Sequence, residues 1–361
     1  MNVIHVITGL SIGGAERALY NLLQGGLTEN FDNYVISLSS IGTIGALIES
    51  LGVPVIALDM PVGKLTLTGV IKLHRTIHKL QPDLIQGWMY HGNLAATFSR
   101  FLISNKTALV WNVRQSLYQI ENEKWLTQLV IRATRFLSKS PDTILYNSHL
   151  SRQQHEQFGF YANNGQVIPN GIDLERFCFS DIERQRVRAE LDIQPDVLIV
   201  GHVARLHPMK DHPLFLNSAI DLGLRHNNVH FMLIGRDVTF DNKNLEKQIS
   251  TTLTNRFHLL GERGDVAALM SSMDIFCQSS WSEAFPNVLG EAVSAKLPCV
   301  ATDVGDSALI LGDCGVIVKP RDKIALTAGI ESLLILSANE RQLFGERARK
   351  RIKENYALGA I

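Results

Sequence analysis

Two hydrophobic periodicities alternate along the chain. Short apolar runs, typical of buried strands, are separated by segments in which apolar residues recur every three or four positions, as on one face of a helix. In the first half the predicted strands cover 2–7, 34–39, 53–57, 83–86, 108–113 and 143–148, with helices over 67–80 and 124–139. This alternation predicts an α/β fold, in which mostly parallel sheets are covered by helices on both faces.

The alternation restarts in the second half. A strand over 166–173 ends in turn residues, and a polar, charged run over 181–190 follows it. The second set of predicted strands covers 197–203, 231–235, 258–261, 274–277, 298–301 and 315–318, with helices over 287–296 and 339–356. Two sets of strands predict two domains, as does a length of 361 residues.

Composition narrows the function. A hydrophobic content of 45% with 19% charged residues is typical of a soluble globular protein. The formal net charge of zero argues against a nucleic-acid partner, because such proteins usually carry a basic patch. The first half is mildly basic, and the helix predicted over 124–139 has one apolar and one basic face. That helix could dock on anionic lipid, or it could simply pack on its own domain.

Cysteine usage and the chain's apolar runs bear on compartment. Cys178, Cys277, Cys299 and Cys314 show no metal-like spacing, and we expect them to be buried thiols in a reducing compartment. The sequence opens on a strand rather than a secretory leader, and no apolar run approaches the length of a membrane-spanning helix. These features predict a cytoplasmic protein.

The stretch from Ser282 to Glu291 carries the strongest chemical signal. Glu283 is predicted in the loop after strand 274–277, with Pro286 in the first turn of the next helix and Glu291 about one turn further on. The first amides of that helix, those of Asn287, Val288 and Leu289, would be free to bind a phosphate. Carboxylates are strong acceptors for sugar hydroxyls, so the stretch predicts a nucleotide-sugar pocket. The alternative is two solvated charges at a helix start, where the dipole favours them.

Two cations follow strand 197–203. Arg205 lies at its carboxyl end and Lys210 near the start of the next helix, so both could neutralise a diphosphate at the same edge of the sheet. The loop Arg263–Asp265 follows another strand, and its backbone could contact a flat base edge.

The first half offers two weaker signals. Gly9, Gly13 and Gly14 form a glycine loop that opens a helix, in a spacing that is neither a dinucleotide fingerprint nor a Walker loop. His91 lies just past the carboxyl end of strand 83–86, where open sheets bind ligands. A structural loop histidine is an equally good interpretation on position alone.

Taken together, these motifs resemble the retaining glycosyltransferases of family 4. Five motifs occur in the family's order: 13–16, 168–173, 205–210, 261–265 and 283–291. The resemblance implies a GT-B fold, with two facing Rossmann-like domains and a cleft between them. The implied division is an acceptor-side domain over 1–168, a nucleotide-sugar domain over 169–345 and a helix over 346–361 that returns toward the first domain.

The resemblance also implies roles for single residues. Glu291 would hold the ribose, and Glu283 would contact the donor sugar beside its reacting carbon. Arg205 and Lys210 would stabilise the leaving diphosphate, with His91 near the sugar. Further donor contacts are implied for Gly13, Gly14, Arg263, Phe285, Pro286, Asn287, Val288 and Leu289. Ala284 stands where many relatives have glycine, which is tolerable unless the backbone there needs a positive φ.

The implied activity is transfer of a hexosyl or N-acetylhexosaminyl unit, with retention, from a nucleotide-diphosphate sugar, UDP-sugars being favoured. A lipid-linked or oligosaccharide acceptor for surface polysaccharide is expected, with contact to the inner membrane face through 124–139. No D-x-D triplet occurs, so neither a metal nor another cofactor is expected. Alternatives are a catalytically silent nucleotide-sugar-binding subunit and, less favoured, an epimerase or phosphorylase.

Overall fold

A computed structural model describes residues 1–61, 66–103, 106–118, 120–122, 124–249 and 251–361. The chain divides into two units. The first comprises Met1–Gly171 together with Ile361, and the second comprises Ile172–Ala360. The change of unit after Gly171 lies three residues beyond the boundary that the sequence suggests.

The first unit contains a seven-stranded sheet in the order β3-β2-β1-β4-β5-β6-β7, with every paired strand parallel. Its strands are β1 (Asn2–Ile7), β2 (Asp32–Ser37), β3 (Val55–Ala57), β4 (Leu84–Trp88), β5 (Ala108–Val113), β6 (Thr143–Tyr146) and β7 (Gly165–Val167). The central strand β1 pairs with β2 and β4, so that Ile4 lies between Tyr34 and Ile85.

Helices cover both faces of this sheet. They are α1 (Gly14–Leu22), α2 (Thr28–Asn30), α3 (Gly42–Ser50), α4 (Leu67–Leu80), α5 (Met89–Ile103), α6 (Trp125–Leu137) and α7 (His149–Phe158). Neighbouring β2 residues enter opposite cores: Val35 packs in the cluster that contains Leu19 of α1, and Ile36 in the cluster that contains Leu73 of α4. Right-handed crossovers produce this separation, because the chain moves outward from β1 in one direction and then in the other.

The second unit repeats the plan with six parallel strands in the order β10-β9-β8-β11-β12-β13. Its strands are β8 (Leu198–Val203), β9 (Val229–Ile234), β10 (Phe257–Leu259), β11 (Ile275–Gln278), β12 (Cys299–Thr302) and β13 (Val316–Val318). Its helices are α8 (Asp181–Glu190), α9 (His212–Arg225), α10 (Lys243–Glu246), α11 (Val266–Ser272), α12 (Asn287–Ser294), α13 (Ser307–Leu311), α14 (Lys323–Leu334) and α15 (Ala338–Asn355).

Each sheet therefore has one point at which the strand order reverses. In the first unit this point lies between β1 and β4, and in the second between β8 and β11. Loops that leave the carboxyl ends of such a strand pair separate to opposite faces of the sheet and leave a crevice between them, which is where open α/β sheets bind ligands.

The predicted elements match the structure unevenly. The helix over 67–80 and the strand over 108–113 have the predicted bounds, whereas α6 and α12 are shorter than predicted, α12 ending two residues early at Ser294. The polar, charged run over 181–190 forms helix α8, whose first turn is capped by the side chain of Ser180.

The segment assigned to 346–361 begins inside α15. This helix starts with a capping box between Ser337 and Glu340, and it packs against α12 and α13 of its own unit. All of it belongs to the second unit, together with the residues up to Ala360.

The prediction of four buried thiols is wrong in part. Cys277 and Cys299 lie in strands β11 and β12 and are buried, but Cys178 is exposed and Cys314 is half-buried. Both of these cysteines lie in connecting segments between helices and strands, where the chain runs along the surface.

A charge cluster fixes the start of β11. Asp274 accepts from Arg184 at 2.7 Å and from Arg188 at 2.7 Å, and its Oδ2 also accepts from the backbone amide of Ile199 at 2.8 Å. The cluster attaches α8 to the adjoining strands β8 and β11, the two strands that meet at the reversal point.

A buried histidine plays a comparable part in the first unit. His155 of α7 lies between Tyr90, whose hydroxyl is 2.7 Å from its Nε2, and the carbonyl of Ser151, 2.7 Å from its Nδ1. Burial lowers the pKa of His155 to about 4, so the ring is neutral at pH 7.

Candidate functional site

The loops after β8 and β11 lie side by side at the reversal point of the second sheet. The backbone amide of Trp281 donates to the Met209 carbonyl at 2.9 Å, and its indole Nε1 donates to the Pro208 carbonyl at 2.9 Å. Ser279 Oγ donates to the Lys210 carbonyl at 2.9 Å. Three hydrogen bonds thus hold the two loops together and fix the side chains that they carry.

Lys210 and Glu283 form an ion pair across these loops. Lys210 Nζ lies 2.5 Å from Glu283 Oε1, and Ser280 Oγ donates to the same oxygen at 2.7 Å. The two side chains are only 25% and 14% exposed, so solvent screens the pair weakly. Within the described part of the chain the partners all fall on Oε1, which leaves Oε2 as an acceptor for a ligand hydroxyl.

A glycine after β12 supports the loop that carries Glu283. Gly305 has φ +57°, and a Cβ built on it would lie 2.1 Å from the Ala284 carbonyl oxygen and 2.9 Å from that of Glu283. The neighbouring amide of Asp306 donates to the same Ala284 carbonyl at 3.1 Å. Ala284 itself does not have a positive φ, so alanine is accommodated at this position without strain.

The start of α12 differs from the prediction in one respect. Pro286 is the N-cap residue rather than the first helical one, and its carbonyl accepts from the Leu289 amide at 3.1 Å and from the Gly290 amide at 3.4 Å. The expected free amide at Leu289 is therefore wrong, because the first turn closes one residue early. The Val288 amide has no acceptor among the residues described.

Burial separates the predicted donor contacts into two groups. The side chains of Phe285 and Leu289 are 5% and 0% exposed and belong to the core, where Phe285 packs on Tyr356. Pro286 is also buried, whereas Asn287, Val288 and Glu291 are half-buried. The buried residues could meet a donor only through their backbone.

His207 lies among the site's charges, and sequence analysis did not single it out. Its Nδ1 accepts from the Met209 amide at 3.3 Å. Burial lowers the pKa of His207, Arg205 and Lys210 lower it further, and Glu283 partly offsets them. Two cations and one carboxylate therefore surround a neutral imidazole, which gives the site an excess positive charge.

The predicted base-contacting residue has its side chain engaged elsewhere. Arg263 donates to both carboxylate oxygens of Asp265, at 2.8 and 2.9 Å, and to Glu190 at 3.0 Å. These bonds raise the pKa of Arg263 and lower that of Asp265 to about 2. Contact with a base would have to come from the backbone of the loop.

The reversal point of the first sheet holds the glycine loop and His91. Gly13 caps α1 and Gly14 begins it, while His91 lies in the first turn of α5. A Cβ on Gly92 would lie 2.4 Å from the Val6 carbonyl oxygen, so glycine is needed for α5 to start this close to β1. His91 is half-buried, which lowers its pKa and keeps the ring neutral at pH 7.

The described residues offer neither a metal site built from side chains nor a membrane-spanning helix. They contain no group of three or more His, Cys, Asp or Glu side chains that could hold a metal ion. Within the same ranges no helix is long and apolar enough to cross a membrane.

Solved structures match the whole fold. HepE of Anabaena, crystallised with UDP, superposes with a TM-score of 0.85 at 22% identity, covering 99% of this chain and 96% of that one. The two parallel sheets thus form the pair of Rossmann-like units of a GT-B protein.

Two curated relatives give a narrower comparison. A UDP-Gal:α-D-GlcNAc-diphosphoundecaprenol α-1,3-galactosyltransferase of Escherichia coli is 28% identical over 40% of this chain and 38% of its own. The capsular polysaccharide biosynthesis glycosyltransferase CapM of Staphylococcus aureus is 22% identical over 82% of this chain and 78% of its own. The chain spans only about a third of the length of the curated relatives that match first.

Family models match both units. The model described as Glycosyltransferase Family 4 matches residues 12–176, and the model described as Glycosyl transferases group 1 matches residues 195–335. The first contains Gly13, Gly14 and His91, and the second contains both cations and both glutamates. Since the two models between them account for most of the chain in the order that its motifs predict, the protein belongs to the family 4 glycosyltransferases.

Proposed function

We propose that this protein transfers a sugar from a nucleotide-diphosphate sugar, a UDP-sugar in the favoured case, to a lipid-linked or glycan acceptor, with retention of the anomeric configuration. The observation that carries the proposal is the Lys210–Glu283 ion pair beside the start of α12, at the reversal point of the second sheet. It joins a cation for the diphosphate to a carboxylate for the sugar.

The positive site suits a leaving diphosphate. Lys210 is held in place by Glu283, and Arg205 is exposed and able to swing toward a bound anion. The Val288 amide at the helix start adds a dipole of the same sign. Preorganised charge of this kind stabilises the negative charge that develops in the transition state. In comparable sites, removal of one such donor raises the activation free energy by about 3 kcal/mol.

The glutamates would have different tasks. Lys210 and Ser280 both contact Glu283 Oε1, which leaves Oε2 to accept from a donor-sugar hydroxyl. Glu291, half-buried on α12, would accept from the ribose hydroxyls. Neutral His91 could donate to or accept from a sugar hydroxyl at pH 7.

Retention follows if the acceptor attacks from the side of the leaving group. The bond from the anomeric carbon to the diphosphate breaks, a bond from that carbon to the acceptor oxygen forms, and the acceptor's proton passes to a diphosphate oxygen. Glu283 has no role as nucleophile in this scheme, because its charge is engaged by Lys210. Arg205 and Lys210 would supply the positive charge that a metal supplies in other glycosyltransferases.

The choice of substrates draws on relatives. HepE was solved with UDP, and the Escherichia coli relative is named for UDP-galactose and a diphosphoundecaprenol acceptor. CapM is named for capsular polysaccharide biosynthesis. We therefore favour transfer of a hexosyl or N-acetylhexosaminyl unit from UDP, in polysaccharide synthesis at the cytoplasmic face of a membrane, with α6 as a contact.

A thermal-shift panel of UDP- and GDP-sugars, followed by a transfer assay, tests the proposal. UDP-sugars should raise the melting temperature of the wild type, since a ligand that binds only the folded state stabilises it by mass action. Glu291→Gln should weaken that shift, and Glu283→Gln should retain most of it but lose transfer by about 100-fold, the lower end of the loss that removal of one well-placed group causes.

Glu246→Gln is the matched control, because Glu246 also pairs with a lysine, Lys243, but on an exposed surface. It should behave as wild type. Wild-type transfer by Glu283→Gln would refute the catalytic assignment. Donor binding without turnover on any acceptor would instead favour a silent donor-binding subunit.

A further inference from the structure

The first unit contains an elongated apolar cavity of about 410 Å³. It lies against three helices, α4, α5 and α6, and reaches the loops that follow β1, β2 and β3. This volume is in the range of sites for small molecules. Three of its polar residues, Thr8, Ser39 and His91, line the loop end, and two others, His74 of α4 and Ser99 of α5, lie along the helices.

One face of α5 forms the length of the cavity. His91, Leu94, Ala95, Phe98 and Leu102 all line it, at spacings of three and four residues. The eleven residue steps from His91 to Leu102 span roughly 16 Å at 1.5 Å per residue. The cavity is therefore much longer than a sugar ring, with a histidine at one end and leucine at the other.

The other walls are mostly apolar, with His74 of α4 as the polar exception. Helix α4 contributes Val70 and Leu73, and α6 contributes Leu126, Leu129 and Val130. Leu129 is 51% exposed, although leucine is usually buried. The walls between the helices therefore stand open to solvent along part of their length.

Further apolar and basic side chains surround this opening. Phe101 of α5 and Trp125 of α6 are 55% and 68% exposed. Lys124, which caps α6, and Arg132 within it are exposed too, and Arg132 follows Leu129 by about one turn. Exposed aromatic residues beside cations are typical of surfaces that contact anionic lipid.

We propose that this cavity holds the hydrocarbon chain of an amphiphilic acceptor drawn from a membrane, with its polar head at Thr8, Ser39 and His91. The inference rests on the proposed function and assigns the acceptor's class and the place of its chain. The polar end lies at the reversal point of the first sheet, so a head group there would contact His91, one of the residues implied in transfer.

A hydrocarbon chain fits these walls better than a polypeptide does. An inserted peptide would need hydrogen-bond partners for its backbone along the whole cavity. Between the helices the lining offers few polar groups, and one of them, Ser99 Oγ, already donates to the Ala95 carbonyl at 2.8 Å. A saturated or isoprenoid chain requires no such partners.

The first experiment measures transfer to synthetic acceptors that share one sugar-diphosphate head and differ in alkyl chain length. Each methylene buried in the cavity should lower KM by up to about fourfold, until the chain fills it and KM levels off. A KM independent of chain length would overturn the proposal. Transfer to no acceptor at all, with donor binding intact, would be a failure of the proposed function itself.

The second experiment changes the walls. Ala95→Trp should fill the cavity, and Leu129→Gln should make its exposed wall polar, so both should flatten the dependence on chain length while transfer to the shortest acceptor persists. Phe136→Gln is the control, since Phe136 lies on the same helix, is 74% exposed and does not line the cavity.

Binding of a fluorescent fatty acid gives a readout independent of turnover. The wild type and Phe136→Gln should bind it with equal affinity, and Ala95→Trp should bind it at least tenfold more weakly. Equal binding by all three proteins would overturn the proposal. Light scattering supplies one more outcome that would overturn the proposal. If the wild type formed a stable dimer, and Leu129→Gln dissociated it without changing the dependence on chain length, the apolar wall would serve to bind a second copy of the chain.

Discussion

Replacing Gly305 by alanine should disable the site without touching a ligand-binding side chain. Gly305 has φ +57°, and its added Cβ would lie 2.1 Å from the Ala284 carbonyl oxygen. Ordinary contacts of a Cβ begin near 3.4 Å, so the loop that carries Glu283 must retreat by about 1 Å.

Two terms contribute to the loss of stability. A left-handed backbone costs a non-glycine residue about 1 kcal/mol, and overpacking of a close-packed loop adds about 1–3 kcal/mol. We therefore expect Gly305→Ala to lower the free energy of unfolding by about 3 kcal/mol. A displacement of about 1 Å at a reacting centre can cost 100-fold in rate, so transfer should fall by about that factor.

Gly52→Ala separates strain from displacement. Gly52 has φ +81°, but its added Cβ would meet nothing within 4 Å, so the variant should lose only about 1 kcal/mol and keep its activity. Urea unfolding and initial transfer rates, measured on both variants, make the comparison. If Gly305→Ala lost no more stability than Gly52→Ala and transferred sugar at the wild-type rate, the inferred support of the Glu283 loop would be incorrect.

Three further predictions concern charges. Lys210→Met and Glu283→Gln should each destabilise the protein. Because the pair is mostly buried, a double-mutant cycle measured by urea unfolding should give a coupling energy of about 2 kcal/mol between the two side chains. Purely additive losses of stability would refute the pairing. Asp274→Ala should lower the free energy of unfolding by about 3 kcal/mol, because Arg184 and Arg188 would lose their carboxylate partner. The Kd for the donor, measured by calorimetry, should stay unchanged. An altered Kd would show that the cluster also shapes the site. Burial holds the pKa of His155 at about 4 in the folded state against 6.5 when unfolded, so the unfolded state gains the proton first. This one histidine should therefore contribute a loss of stability of about 2 kcal/mol between pH 7 and 5, in addition to the losses from other buried histidines such as His202, His212 and His258. His155→Gln should flatten that slope in urea titrations, and an unchanged slope would count against the assignment.

Sequence periodicity was sufficient to predict an element and its bounds where that element has one buried face. Helix α4 could be bounded to the residue, because its apolar positions repeat regularly and Thr66 caps its first turn. Helix α5 was missed, because its sequence is apolar on most sides and contains Gly92, a poor helix former. Its glycine is explained only by the approach to β1, which depends on distant residues.

The same limit applies to the site. The loop position of Glu283 and the two cations followed from strand ends, which are local features. The pairing of Lys210 with Glu283, the capture of Arg263 by Asp265 and Glu190, and the early closure at Pro286 are tertiary or geometric details that spacing does not determine. The apolar cavity could not be predicted from the sequence for a related reason. Its walls come from three separate helices, and the sequence of each helix does not distinguish the apolar residues that line the cavity from its other exposed apolar residues.

Trp281 is an intrinsic fluorescent probe of the second unit. The chain has four tryptophans, and the other three, Trp88, Trp111 and Trp125, all belong to the first unit. The indole of Trp281 is bonded to the loop that carries Lys210, and the guanidinium of Arg321 lies 4.6 Å from the centre of its ring. A ligand that draws Arg321 away from the ring would alter the fluorescence of Trp281. Binding of such a ligand to the second unit can therefore be followed by the intrinsic fluorescence of the unlabelled protein.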